Sequence, residues 1–344
     1  MLKIPSLWYS TIYLVTLSST ALAQPSTPQR FHFQKPLMGT KFQIILYSTD
    51  EKKAQLAADA AFLVAQKVED ACSDYKPNSG LSILMKPPAT QEISPLLASV
   101  LEQALHIAKE TKGAYDPTLG GHSKNWRRAK TRNTLPSPKD IANAQKTSGW
   151  KNITLTSNAA THTATKKFPT MQLDLGGIAK GYAADRMLDV LKNHGITMAT
   201  IAAGGDIRMG DPPPGEKGWR VGLKTLSTQS SENTQPSRSI TVSNCAVSTS
   251  GDLHQFINIG GIRYSHIVDP TTGLGLTKRT SATVIAPTAT QADALATACC
   301  INTAIHAYIE QQPATHSLIV IMNSSGTATQ IITSHFPKVT HTLN

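Results

Sequence analysis

Leu173-Asp174-Leu175-Gly176-Gly177-Ile178-Ala179-Lys180-Gly181-Tyr182-Ala183-Ala184-Asp185 is the stretch from which the rest of the chain can be read. An apolar run ends in a carboxylate. Two adjacent glycines follow, and then a helix-forming segment with one lysine. Neither glycine has a Cβ, so the backbone can approach a ligand closely. The helix behind the turn points unpaired N–H groups and its positive dipole end into the same space, which suits phosphate. Lys180 adds a mobile cation in the first turn. The segment reads as a site for an anionic, phosphorylated ligand, or as an ordinary structural turn before a helix.

A second segment bears on that choice. Gln291-Ala292-Asp293-Ala294-Leu295-Ala296-Thr297-Ala298-Cys299-Cys300 is Ala-rich and helical in propensity. Asp293 and Thr297 are four residues apart and share a helix face. A carboxylate and a hydroxyl so placed are hard oxygen donors suited to Mg²⁺. The plain alternative is an N-cap Asp and a solvent-facing Thr.

Working outward, residues 41–47, 153–155, 171–175, 199–203, 219–223, 239–243, 282–286, 317–322 and 329–333 read as strands. Residues 52–72, 93–111, 139–147 and 178–194 show helical spacing of apolar side chains. Residues 225–238, rich in Ser, Thr, Asn and Gln, read as a loop. The basic run 124–132 reads as a solvated loop. Strands and helices mix without a βαβ rhythm, which favours α+β over a doubly wound α/β sheet.

The chain has 344 residues, 40% of them hydrophobic and 16% charged, with a formal net charge of +11. Such a positive field attracts anionic partners. No basic stripe interleaved with aromatics appears, so nucleic acid is not expected as a partner. Residues 1–23 read as a secretory signal peptide: Lys3, an apolar stretch, then Ala21-Leu22-Ala23 before Gln24. A polar leader (24–37), a main domain (38–336) and a C-terminal tail (337–344) follow. Cys72, Cys245, Cys299 and Cys300 match no zinc spacing and read as buried small hydrophobes; a Cys72–Cys245 bridge is left open.

Four further segments are Met38-Gly39-Thr40, Gly113-Ala114-Tyr115-Asp116-Pro117-Thr118, Gly204-Gly205-Asp206-Ile207-Arg208 and Tyr264-Ser265-His266-Ile267-Val268-Asp269-Pro270-Thr271-Thr272-Gly273. In this order, together with the two segments above, they resemble the ApbE family of FAD:protein FMN transferases. The resemblance runs from about residue 38 to 336. Gly80 and Met85 stand where the family often has polar residues, so no flavin contact is expected from them.

The resemblance implies an α+β, mixed-sheet ApbE-like fold with a flavin-binding crevice. It implies FAD as substrate and Mg²⁺ as cofactor, with Asp293, Thr297 and the Gly177 carbonyl as metal ligands. It implies FAD contacts from Met38, Tyr75, Ala114, Tyr115, Asp116, Asp174, Lys180 and Ile267. His266 is the expected acid/base residue; Gly205 and Asp206 are either supporting site residues or a structural turn, and Asp269 is expected to shape its own turn. The expected partner is an acceptor flavoprotein carrying a Ser or Thr, and the expected place is the periplasm, with association at the inner-membrane surface left open. A metal-dependent FAD pyrophosphatase and a non-enzymatic flavin carrier remain as alternatives; the Asp293/Thr297 pair and His266 argue against the carrier.

Overall fold

The computed structural model describes residues 27–158, 160–223, 226, 238–252, 255–323 and 325–341. The signal-peptide reading and nearly all of the 225–238 loop lie outside the described residues. The chain opens with a hairpin, β1 (Gln29–Leu37) and β2 (Thr40–Ser48), turned by Met38 and Gly39 at φ 52° and 71°. Two successive positive φ values give a turn whose twist matches that of the strands. Phe42, Ile44 and Leu46 alternate onto the buried face of β2. Then come α1 (Glu51–Cys72), capped by the Asp50 carboxylate, α2 (Gly80–Leu84), β3 (Thr90–Ile93) and α3 (Pro95–Glu110), capped by Ser94.

Next are α4 (Gly120–Arg132), α5 (Pro138–Thr147), the hairpin β4 (Ile153–Ser157) and β5 (His162–Lys166), and α6 (Ala179–Asn193). β6 (Ala199–Ala203), β7 (Asp206–Met209), β8 (Trp219–Gly222), β9 (Arg238–Val242) and β10 (Ala246–Gly251) follow. The chain closes with the hairpin β11 (Phe256–Ile259) and β12 (Ile262–Ser265), then β13 (Thr280–Ala286), α7 (Ala289–Ile301), α8 (Ile305–Glu310), β14 (His316–Met322), β15 (Ala328–Ile332) and β16 (Thr340–His341).

The main sheet runs β1-β2-β6-β7-β10-β13-β14-β15, and its pairings are antiparallel throughout. That bears out the α+β expectation. α1, α6 and α7 pack on one face. Ala54, Ala57, Ala58, Ala61 and Ala65 of α1 are buried, and their small side chains allow close helix packing. The other face meets the sheet β16-β9-β8 through Trp219, Val221, Ile240, Leu318 and Val320. β13 lies between these layers and is buried on both faces.

Several segments differ from their sequence readings. Residues 29–37, read as part of a polar leader, are the edge strand β1, and β16 lies in the segment read as a tail. Residues 124–132, read as a solvated loop, belong to α4. The buried face of α4 carries His122, Trp126 and Ala129 rather than the aliphatic residues that signal a helix. Residues 171–175 are not a strand: β4 pairs with β5 instead, and the first turn of α4 presses so closely on Leu173 that a Cβ on Gly120 would sit 2.5 Å from the Leu173 carbonyl oxygen. Ile93 ends β3, and the following helix begins after Ser94. All four cysteines are free, so Cys72 and Cys245 are not bridged. Among the described residues no helix is long and apolar enough to cross a membrane.

Candidate functional site

A crevice of about 810 Å³ opens where the β1–β2 turn, the N-terminus of α6, α4, α7 and the β11–β12 hairpin converge. Met38, Tyr75, Tyr115, Asp116, Asp174, Gly177, Lys180, His266, Ile267, Asp293 and Thr297 all line it. Ala114 does not; it is buried in the main core behind the wall.

Asp293, Lys180 and Asp206 form the base. The Lys180 ammonium stands 3.1 Å from Asp206 Oδ2 and 3.2 Å from Asp293 Oδ2, and donates to the Gly176 carbonyl at 3.0 Å. Ser248 donates to the other oxygen of Asp206. Burial works against the charged lysine, but the two carboxylates outweigh it and hold its pKa above the ordinary lysine value. The Asp293 carboxyl is nevertheless raised, first by burial and then by Asp206, with Lys180 opposing. Two buried carboxylates share one ammonium, and their mutual repulsion adds to burial in raising the Asp293 carboxyl. Asp206, left open between a turn and a supporting role, is therefore part of the site.

Thr297 lies one helical turn after Asp293, and its hydroxyl is 3.3 Å from Ser250 Oγ. A Cβ on Gly177 would lie 3.3 Å from Thr297 Oγ1, which places the Gly-Gly turn directly against this pair. The plain alternatives are set aside by position: the N-cap of α7 is Thr288, and Asp293 is only 3% exposed. Among the described residues no group of three or more His, Cys, Asp or Glu forms a metal cage. Mg²⁺, however, commonly takes one or two carboxylates and completes its octahedron with waters and substrate phosphates. The donors here are hard oxygens beside two carboxylates that share one cation, and they fit such an ion.

The positions of Asp293 and Thr297 are set from α6. The Asp185 carboxylate accepts from the Ala289 and Thr290 N–H groups, both at 2.9 Å, and from the Thr290 hydroxyl at 2.6 Å. Arg208 pairs with it at 2.9 Å. A Cβ on Gly181 would lie 2.2 Å from the Ala289 carbonyl oxygen, so only glycine admits this contact.

A second charge cluster stands elsewhere on the wall. Arg127 contacts Asp74 at 2.6 Å and Asp174 at 3.7 Å, and its guanidinium lies 4.1 Å from the centroid of the Tyr75 ring. Tyr75 itself is 75% exposed. Burial and the neighbouring Asp174 raise the Asp74 carboxyl. The sequence reading missed Asp74 and Arg127. The only signal for Arg127 was Trp126 beside a basic run, which also fits a solvated face. Among the described residues, five aspartates line the crevice against Arg127, Lys130 and Lys180.

Two Asp-Pro-Thr turns frame the opening. Asp116 accepts from the Thr118 N–H (2.8 Å) and hydroxyl (2.6 Å), and its other oxygen takes the Trp150 N–H at 3.0 Å. Asp269 does the same for Thr271, at 2.8 and 2.6 Å, the turn-shaping role expected of it. Asp116 thus spends one oxygen on its own turn and the other on tying that turn to Trp150.

His266 stands 3.1 Å from the Gln255 carbonyl through Nδ1. A carbonyl only accepts, so Nδ1 carries the proton and Nε2 keeps a free lone pair. His266 is exposed at the crevice, yet the protein atoms crowded around it desolvate the ring enough that, with the positive field of Lys180 and against the Gln255 hydrogen bond, its pKa is lowered below the ordinary histidine value. A neutral imidazole facing an anion-binding crevice can accept a proton.

Known proteins share this architecture. The ApbE family model matches residues 38–319. The FAD:protein FMN transferase of Treponema pallidum is 32% identical over 278 residues, 76% of each chain. The structure of the flavin transferase ApbE from Vibrio cholerae matches with a TM-score of 0.76 at 25% identity, covering 89% of this chain and 98% of that one. The ApbE protein of Thermotoga maritima matches with a TM-score of 0.76 at 28% identity, covering 88% and 97%.

Proposed function

This chain belongs to the ApbE family and is an FAD:protein FMN transferase; we propose that it works outside the cytoplasm, with Mg²⁺, on a Ser or Thr hydroxyl of an exported or membrane-bound acceptor. The observation that carries the metal requirement is the charge of the crevice. Among the described residues five aspartates and three cations line its walls, and Asp206 and Asp293 share the single ammonium of Lys180 at its base. Such a lining repels the diphosphate of FAD unless a cation joins it. Residues 1–23 support export through their signal-peptide pattern.

Asp293, Thr297 and the Gly177 carbonyl would hold the cation. When bound, it supplies the charge neutralisation that phosphoryl transfer chiefly needs. The chain does the rest. The N-terminus of α6 and Lys180 receive the diphosphate. His266 Nε2 takes the proton of the acceptor hydroxyl. The acceptor oxygen bonds to the phosphorus of the FMN half, the bond from that phosphorus to the bridging oxygen breaks, and AMP leaves with that oxygen. Positioning is the main contribution of the walls, because the transition state asks for alignment and charge rather than new covalent partners.

The test is mass spectrometry of a candidate acceptor incubated with this chain, FAD and Mg²⁺. The acceptor gains one FMN unit with the parent chain. It gains none with Asp293→Ala or with chelator present. Free FMN and AMP with no gain in acceptor mass would establish a pyrophosphatase instead.

A further inference from the structure

β11 and β12 form a two-stranded sheet of their own, apart from the main sheet. A lone hairpin is marginally stable, so its position depends on what each face is fastened to. One face is apolar: Ile257 and Tyr264 lie opposite one another and pack on Trp126 of α4, with 5.5 Å between the Tyr264 and Trp126 ring centroids. The other face carries Phe256 and Arg263, diagonal neighbours whose ring centroid and guanidinium are 3.3 Å apart. Arg263 Nε donates to Asp252 Oδ2 at 2.8 Å, and Nη2 to the Asp252 carbonyl at 2.6 Å. Asp252 is 3% exposed and directly follows β10, a strand of the main sheet. Arg279, just ahead of β13, stands 3.6 Å from the same Oδ2. The fork of Arg263 therefore fastens the hairpin to the main sheet at two atoms of one residue, a geometry that a lysine ammonium does not reproduce. Neither Asp252 nor Arg263 is among the residues lining the crevice. The Gln255 carbonyl, three residues after Asp252, accepts from the His266 backbone N–H at 3.0 Å and stands 3.1 Å from His266 Nδ1, three residues after Arg263. The clamp thus spans the root of the hairpin, where both partners of the histidine contact leave it.

We propose that Asp252 and Arg263 are positioning residues for the transfer step: their clamp holds the Gln255 carbonyl where it keeps the proton on His266 Nδ1 and leaves Nε2 free for the acceptor hydroxyl. This rests on the transferase reading and on His266 as its base. The pair acts through His266; it binds no ligand and moves no proton. Without the clamp the root of the hairpin loosens, the Nδ1 contact is no longer held, and the ring takes either tautomer. Misplacing a reacting group by about 1 Å costs on the order of 10²-fold in rate.

Arg263→Met removes the fork but keeps an apolar stem over Phe256, and Arg279 remains beside the Asp252 carboxylate. FAD affinity is followed by flavin fluorescence at saturating Mg²⁺. The His266 tautomer is read by nitrogen NMR of labelled histidine at a pH where the ring is neutral, with the signal assigned through His266→Ala. Transfer is read as the mass gain of an acceptor that the parent chain flavinylates. The variant should bind FAD with parental affinity, show both tautomers where the parent shows the Nδ1–H form, and transfer FMN roughly tenfold or more slowly. Added to His266→Ala it should cost nothing further, because a residue that acts through another is silent once that other is gone. An equal loss in both backgrounds, a parental tautomer or a parental rate overturns the proposal. So does a fall in FAD affinity in step with the rate, which would make the pair part of the crevice scaffold. If the parent flavinylates no acceptor, or His266→Ala transfers at the parent rate, the reading beneath fails and this proposal with it; if His266→Ala is slow and Arg263→Met is not, only the clamp is refuted.

Discussion

Asp185 and Thr290, on different helices and 105 residues apart in sequence, are joined twice: the Asp185 carboxylate accepts both the backbone N–H and the hydroxyl of Thr290, at 2.9 and 2.6 Å. The first turn of α7 is thereby tied to α6. Asp293 is three residues further along α7, and Lys180 is five residues earlier on α6 than Asp185. The contact fixes the distance between the lysine and carboxylate that form the base of the crevice.

Asp185→Ala should therefore cost both stability and ligand binding. It strips the Ala289 and Thr290 N–H groups and leaves Arg208 without its buried carboxylate. Removing one partner of a buried charged pair costs about 3–5 kcal/mol. Denaturant unfolding should show that loss, and Asp185→Asn, which keeps one acceptor, a smaller one. Equal stability of Asp185→Ala and parent would refute the tie.

Gly181→Ala should destabilise although it raises helix propensity. In an exposed helix interior, Gly to Ala gains about 1 kcal/mol. Here the added Cβ meets the Ala289 carbonyl oxygen at 2.2 Å, and that oxygen is backbone and cannot swing away. Overpacking of this kind costs roughly 1–3 kcal/mol. The melting midpoint and FAD affinity should both fall; a rise in the midpoint would show that the two helices do not touch there.

Lys180→Ala should reverse the usual sense of a binding-site deletion. It leaves Asp206 and Asp293 facing one another without their shared cation. A partly buried unit charge at this range interacts by about 4 kcal/mol at an intermediate dielectric. Mg²⁺ should bind the ligand-free variant at least tenfold more tightly, while FAD binds more weakly than to the parent. Calorimetric titration with Mg²⁺ alone checks the first; weaker Mg²⁺ binding would place the ion away from this pair.

His266→Ala should still bind FAD yet transfer FMN about 10²-fold more slowly, the scale of general-base catalysis. The pH dependence follows in sign. Only neutral His266 has a free lone pair on Nε2, and its pKa lies below the ordinary 6.5. Transfer should therefore persist through pH 6.5 and decline on the acid side of it, with FAD affinity following a different profile. A parent-like rate in the variant, or an acid limb centred above 6.5, would remove His266 from the proton step.

The residues lining the crevice were largely legible in the sequence because they sit in contiguous motifs whose chemistry is local. The Gly176-Gly177 turn, Lys180 in the following helix and the i,i+4 pair Asp293/Thr297 show by spacing which donors share a face, since backbone geometry within one turn is set by neighbours, while the family resemblance is what marked them as a site. The mixed α+β class followed from element order. What contact across the chain decides was not legible. Arg127 is a binding-site residue only because α4 turns it toward Asp74 and Asp174, 53 and 47 residues away in sequence. Ala114 shares a motif with Tyr115 yet points into the core, since one residue of shift along a loop exchanges wall for interior. Residues 171–175 have a strand-like composition but no partner strand, because β4 pairs with β5. Asp206 reads equally as a supporting site residue or a structural turn until the sheet brings it within 3.1 Å of Lys180. Local pattern determines which groups a segment offers; only the folded packing determines which charges meet.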